Sequence, residues 1–434
     1  MTAFVHTESS EAALLSRVRR RLIPFMFLLY IAAYLDRVNV GFAALQMNRD
    51  LGLSPAVYGF GAGVFFIGYF FFEVPSNLIM ARVGARMWIA RIMITWGLIS
   101  SAMMFVRGPL SFYALRFLLG VAEAGFFPGM ILYLTYWFPA RERGSAISLF
   151  MTAIALAGVV GGPVSGALLT LHNVGGLAGW QWLFLLEGIP SVVLGVVVLM
   201  YLPDGPMDAK WLKEEEKGFL MGRLYASGPA DATPKESTLR GVLTNPRVLG
   251  FGLCYFGVVT SLYGITFWLP TILQGLKQFS DFTIGLLSAL PYIVAAIGMV
   301  LVGRHSDKTG ERRWHVAGSA FIGAAGFLVS AMTDSPALKL AAFSVAAFGI
   351  FAAMPTFWTM PTAMLTGTGA AAGIAAINSI GNLGGLAGPS LIGWIRTATG
   401  TFVAPMIALA ATLIFGGVMA LISSAPRAAP SKET

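Results

Sequence analysis

Gly303-Arg-His-Ser-Asp307-Lys308-Thr-Gly310-Glu-Arg312-Arg313 is a short charged interruption between two long apolar runs. A shift of 226 residues toward the amino end brings Lys308-Thr-Gly310 onto Arg82-Val-Gly84, which also interrupts two apolar runs. The same shift pairs Gly59 with Gly285, Gly158 with Gly384, and Gly162-Pro163 with Gly388-Pro389, while Gly166 falls on Ile392. Glycine matches are cheap in a chain with 51 glycines. One ungapped offset that joins two loops and two Gly-Pro pairs is much harder to obtain by chance. The chain therefore reads as two related halves with their elements in the same order.

A helix of about 20 apolar residues crosses the hydrocarbon core of a membrane. Windows of that length give twelve spans, at roughly 22–46, 56–80, 87–106, 110–137, 144–170, 180–202, 248–273, 282–303, 314–333, 337–362, 371–395 and 401–424. The expected fold is an all-α membrane protein of twelve transmembrane helices in two pseudo-symmetric six-helix halves. Residues 1–202 form the first bundle and 203–247 a cytoplasmic central loop, with the run Lys213, Glu214, Glu215, Glu216, Lys217. Residues 248–434 form the second bundle and a short cytoplasmic tail. The long run from Leu22, preceded by Arg17, Arg19, Arg20 and Arg21, is read as a first span and not as a cleavable signal.

Composition agrees. Apolar residues make up 56% of the chain and charged ones 11%, far below the roughly 25% of soluble domains. With both termini in the cytoplasm, 22 of the 29 Lys and Arg lie on that side. Five (Arg49, Arg107, Lys277, Lys339 and Arg396) lie outside and two within spans, which is the bias the positive-inside rule requires. The net charge of +9 is thereby a topology signal, and no nucleic-acid partner is expected. Cys254 is alone and in an apolar stretch, so it is read as a packing residue. No phosphate-binding loop occurs, and the four histidines lie near loops or termini, so neither a cofactor, a metal centre nor an enzyme is expected.

The 303–313 stretch resembles the cytoplasmic loop signature of the major facilitator superfamily, with Gly303, Asp307, Lys308, Gly310 and Arg312 in register. Its first-half copy keeps Arg82, Gly84 and Arg86 but has Asn77 and Ala81 in place of the glycine and the acid, which predicts a lopsided latch. These residues are read as gating groups. Gly158-Val-Val-Gly161-Gly162-Pro163 and Gly384-Gly385-Leu-Ala-Gly388-Pro389 are read as helix-packing and bending elements. Tyr34-Leu-Asp36-Arg37-Val-Asn39, Arg116-x3-Gly120-x2-Glu123-Ala-Gly125 and Trp137-Phe138-Pro139-x2-Glu142-Arg143-Gly144 resemble the anion:cation symporter family, as do Asn378 and Asn382. That family includes bacterial tartrate, sugar-acid and aromatic-acid permeases and the sialin-like carriers, and the tartrate type looks nearest. The resemblance implies the major facilitator fold, a midplane substrate site and proton-carrying roles for Asp36 and Glu123.

Four acids (Asp36, Glu73, Glu123, Glu187) and two bases (Arg37, Arg116) fall in apolar runs, all in the first half. Each would cost at least about 2.5–3.5 kcal/mol at the bilayer centre, so such groups normally face the bundle interior. Arg116 and Glu123, two turns apart, share a helix face. A carboxyl caught between burial and a guanidinium can release a proton when an anion or arginine moves, which is what proton coupling requires. Glu73 and Glu187, nearer helix ends, are read as structural. The planar fork of arginine suits a carboxylate, so Arg37 and Arg116 are expected to hold the substrate, with internal counter-ions as the bland reading. Tyr34, Asn39, Tyr69, Tyr263, Trp358, Asn378 and Asn382 are the expected neutral contacts, with packing as the alternative for each; Tyr255 is a further hydroxyl. Asn378, Asn382 and Gly385 are expected to share one face.

The function expected is proton-coupled import of a small organic anion, tartrate-like or a sugar acid, by a monomer in the lipid bilayer of the bacterial inner membrane. Open alternatives are an aromatic-acid symporter, an exporter or exchanger, and a non-transporting ligand sensor.

Overall fold

The computed structural model describes residues 8–226, 245–276, 279–364 and 369–424. Part of the central loop, Lys277 and the carboxyl tail lie outside these residues. Every regular element among the described residues is helical. The chain divides into two compact units, one of 1–52 with 67–232 and one of 53–66 with 233–434.

Unit 1 contains α1 (Glu8–Asp50), α3 (Ala85–Ala102), α4 (Pro109–Glu123), α5 (Phe126–Thr135), α6 (Ala140–Leu169), α7 (Gly179–Tyr201) and α8 (Glu214–Ala226). Unit 2 contains α9 (Pro246–Gln274), α10 (Asp281–Thr309), α11 (Arg313–Ala331), α12 (Pro336–Met364), α13 (Gly369–Asn382), α14 (Gly384–Thr399) and α15 (Val403–Ser423). Helix α2 (Pro55–Val83) is divided between them. Among the described residues, eleven helices, counting α4 and α5 as one span, are long and apolar enough to cross a membrane. The predicted span 371–395 is made by α13 and α14 together.

Three boundaries differ from the sequence reading. The first helix begins at Glu8, not near 22. Its first turns are amphipathic: Leu14, Val18 and Leu22, one turn apart, are buried, while Arg17 and Arg20 face out. Hydropathy windows measure apolar length and pass over such a segment. The fourth span breaks at Gly125, which sits at φ 86°, a left-handed conformation that costs a residue with a side chain about 1–2 kcal/mol. A Cβ there would also lie 2.3 Å from Ser76 Oγ. The eleventh span is interrupted at Leu383, whose own φ and ψ stay helical, so that break is local.

Glycines set the close approaches, as expected. In unit 1, α3 and α7 meet at Gly97 and Gly188, where a Cβ on either would lie 2.8 Å from the other's carbonyl oxygen. In unit 2, Gly384 and Gly388 press on α9, with a Cβ on Gly388 reaching within 2.1 Å of the Thr260 carbonyl oxygen. Backbones packed this closely leave no room for lipid and fix where neighbouring polar side chains point.

Candidate functional site

Asp36 and Arg37 are consecutive on α1, so their side chains leave the helix about 100° apart and enter different environments. Asp36 is fully buried where α3 and α7 converge. Its carboxylate accepts hydrogen bonds from Trp96 Nε1 (2.8 Å), Ser100 Oγ (2.6 Å) and Ser191 Oγ (2.5 Å). The Gly97–Gly188 contact makes this possible, because Trp96 and Ser100 flank Gly97 while Ser191 lies three residues past Gly188.

Arg37 turns the other way. Its Nε donates to Glu123 Oε1 at 3.0 Å, and its terminal nitrogen pairs with the same oxygen. The guanidinium also lies 5.5 Å from the Tyr69 ring centroid, a cation–π contact. Glu123, fully buried, is the last residue of α4, directly before the Gly125 corner. Beyond that corner Phe126 packs edge-on to Trp96 at 5.0 Å, so one break supports both acid environments. Arg116 is fully buried two turns earlier on α4, and its charge acts on Glu123. Glu73, on α2 near Tyr69, is buried, and its backbone carbonyl accepts from the Asn77 side chain at 2.8 Å. Removing such charges from water is expensive unless they are paired and hydrogen-bonded, and this unit does both. Tyr34 is buried on the same helix as Asp36.

Sequence reading placed Glu187 near a helix end. The helix starts at Gly179, so Glu187 stands more than two turns inside α7, where it is buried. Ser165 Oγ of α6 donates to its Oε1 at 2.7 Å, and Asn39 faces it from α1. A glutamate in a 23-residue apolar helix was the available signal; the predicted start at 180 was right to one residue, and two turns of helix were read as an end.

In unit 2 the structure brings together two residues the sequence named apart, Tyr255 and Trp358, with Phe357. The Tyr255 ring stacks on Phe357 (5.2 Å, 7° between planes) and meets Trp358 edge-on at 5.0 Å. A Cβ on Gly381 would lie 1.9 Å from Tyr255 Cδ1, so the same ring seats α13. Tyr255 thereby gathers Trp358 and the helix that carries Asn378 and Asn382, all three half-buried. The two asparagines are one turn apart on α13, but Gly385 belongs to α14 and packs on the Phe66 ring instead of sharing their face. Tyr263 is buried among Phe66 and Phe267.

Both latch stretches are tied down. Asp307 accepts from Arg312 at 2.6 Å, and the same nitrogen donates to Ser306 Oγ at 3.0 Å. Gly310 closes α10 at φ 71°, while Gly303 lies within α10 and Lys308 is exposed. In unit 1, Asp204, just after α7, accepts the Arg86 backbone N–H at 2.8 Å and faces the Arg86 guanidinium at 3.6 Å. Gly84, at φ 97°, leaves the space: a Cβ would sit 2.7 Å from the Asp204 carboxylate. An acid distant in sequence thus stands beside Arg86 and Gly84. Arg82 is exposed.

A family profile described as the Major Facilitator Superfamily matches residues 26–389. A provisionally named tartrate transporter of Agrobacterium vitis is 51% identical over 99% of this chain and 95% of its own. A quinolone resistance transporter of Acinetobacter baumannii is 43% identical over 95% of each. The inner membrane transport protein RhmT of Escherichia coli is 40% identical over 94% of each. Among solved structures, a bacterial homologue of the human lysosomal transporter Spinster, inward-facing and unoccupied, aligns with TM-score 0.78 over 94% of this chain and 97% of that one, at 17% identity. The fold, the glycine-packed membrane helices and the matched length agree: this chain belongs to the Major Facilitator Superfamily, as a multi-pass membrane transporter and not an enzyme.

Proposed function

We propose that the protein imports a tartrate-like hydroxydicarboxylate or a sugar acid with protons, by alternating access, across a bacterial inner membrane with both termini in the cytoplasm. The observation that carries this reading is the buried Arg37–Glu123 pair, beside Tyr69 and within the field of Arg116. With Glu123 ionised, its carboxylate occupies the Arg37 fork. A proton on Glu123 cancels that charge, and the guanidinium then takes a substrate carboxylate in bidentate fashion. Loss of the proton restores the internal pair and expels the anion. Asp36 is the second proton-carrying group in this scheme. In unit 2, Trp358, Asn378 and Asn382 are the neutral groups proposed to read the substrate hydroxyls.

Ligand-induced thermal stabilisation of the purified protein tests the assignment. Tartrate or a sugar acid should raise the melting temperature of the wild type, because a ligand stabilises the state it binds. Arg37→Ala should abolish that shift, and an undiminished shift would remove Arg37 from the site. The quinolone resistance relative favours a second reading, export of an antibiotic. That reading expects a quinolone, and neither tartrate nor a sugar acid, to raise the melting temperature of the wild type.

A further inference from the structure

Four acids and two arginines lie buried in unit 1, and they do not share their partners evenly. Arg37 pairs with Glu123, and Arg116 acts on the same carboxylate. Asp36 and Glu187 are left facing one another's charge. The helices packed on α7 at this depth are α1, α3 and α6. They present Asp36 and Asn39 from α1, Trp96, Ser100 and Ser101 from α3, and Ser165 from α6. Asp36 is the one charged group among these; Glu123, paired with Arg37, also acts on Asp36.

The donors are divided just as unequally. Asp36 receives three, which solvate an anion well. Glu187 receives the Ser165 hydroxyl and faces the Asn39 amide, and its Oε2 meets no donor at hydrogen-bond geometry. Of two buried carboxyls, the one with fewer donors on its oxygens is the one that favours the neutral form.

We propose that Glu187 is the second carboxyl of a proton-binding dyad with Asp36, and that it holds the proton of that dyad. Two carboxylates that share a dry site without a cation do not both stay ionised. Asp36 with three donors keeps the charge, and Glu187 takes the proton from water on one side and yields it on the other. This deepens the proton-coupled reading and rests on it; what it adds is Glu187 as the partner with which Asp36 carries its proton.

The test uses the full chain in proteoliposomes, wild type and Glu187→Gln, whose amide mimics the neutral carboxyl in size. Tartrate counterflow, which moves no net protons, reports whether the variant folds and exchanges. With the membrane potential clamped, a one-unit pH gradient supports about tenfold accumulation per proton carried. Glu187→Gln should keep counterflow and lose about tenfold in accumulation. Unchanged accumulation overturns the proposal, as does stabilisation of the wild type but not of Glu187→Gln by sodium at fixed pH, which would make the dyad an alkali-cation site. A wild type that ignores the gradient defeats proton coupling itself. Infrared spectroscopy then still decides the dyad, and it also does so if counterflow is lost: a protonated-carboxyl band present in the wild type and in Glu123→Gln should vanish in Glu187→Gln. Persistence of that band overturns the assignment.

Discussion

Arg37 and Glu123 stand or fall together. Removing one partner of a buried pair strands the other charge and costs about 3–5 kcal/mol, whereas neutralising both costs far less. Arg37→Met should therefore lower the unfolding midpoint in detergent sharply, and Arg37→Met/Glu123→Gln should recover most of the loss. Additive losses would show that the two side chains are not coupled. Asp36, Arg37, Arg116 and Glu123 were legible in the sequence because a charge in an apolar run is rare and expensive. The pairing was not: nothing in the spacing says that Arg37 chooses Glu123 over its neighbour Asp36. Tyr255 was visible only as one aromatic among many, since 12% of the chain is aromatic and ring stacking leaves no mark in sequence. Glu187 was seen and its span was bounded to within one residue, but apolar length does not say that its carboxyl meets Ser165 of another helix.

At the scale of elements, the corner between α4 and α5 sets the position of Glu123 and of Phe126. A side chain at position 125 must adopt a left-handed backbone against Ser76, so Gly125→Ala should destabilise the protein by at least about 1–2 kcal/mol. It should also weaken substrate binding, read as a lower melting temperature and a smaller tartrate-induced shift. A variant that matches the wild type in both would remove the corner from the account. The motif holding Gly125 was legible; the break itself was not, since glycines are common in membrane helices and most of them here serve packing. Helix α8 and the amphipathic start of α1 form a second device. Arg17 pairs with Glu216, and Arg223 with Glu11. Partial burial pushes the Glu216 carboxyl up, but the Lys213 backbone N–H and the Arg17 guanidinium outweigh it and hold Glu216 below the usual carboxylate range. A lowered value means the docked state is favoured above the ordinary glutamate pKa of about 4.3 and loses that support as pH falls further. These pairs are exposed and worth at most about 1 kcal/mol each. Limited proteolysis within α8 should be slow at neutral pH and faster in Arg17→Ala/Arg223→Ala, with the melting temperature nearly unchanged. Equal cleavage rates would show that the pairs do not hold α8.

For the whole molecule, the charge bias and the apolar windows make the helical membrane fold legible in the sequence, because both follow from a bilayer's thickness and its intolerance of charge, and the 226-residue offset adds the two related halves. The division of labour is just as visible in the sequence, with every mid-span charge in the first half. Substrate identity is written in hydrogen-bond geometry and reaches this chain only through the resemblance and the names of its relatives. The central claim is that a pH gradient drives the entry of an organic anion, and tartrate uptake into proteoliposomes with and without an inward proton gradient tests it most directly. The account predicts accumulation only with the gradient, about tenfold per pH unit for each proton carried, and its loss in Asp36→Asn/Glu123→Gln while counterflow persists. Equal accumulation without a gradient, or full coupling in that double variant, would contradict it.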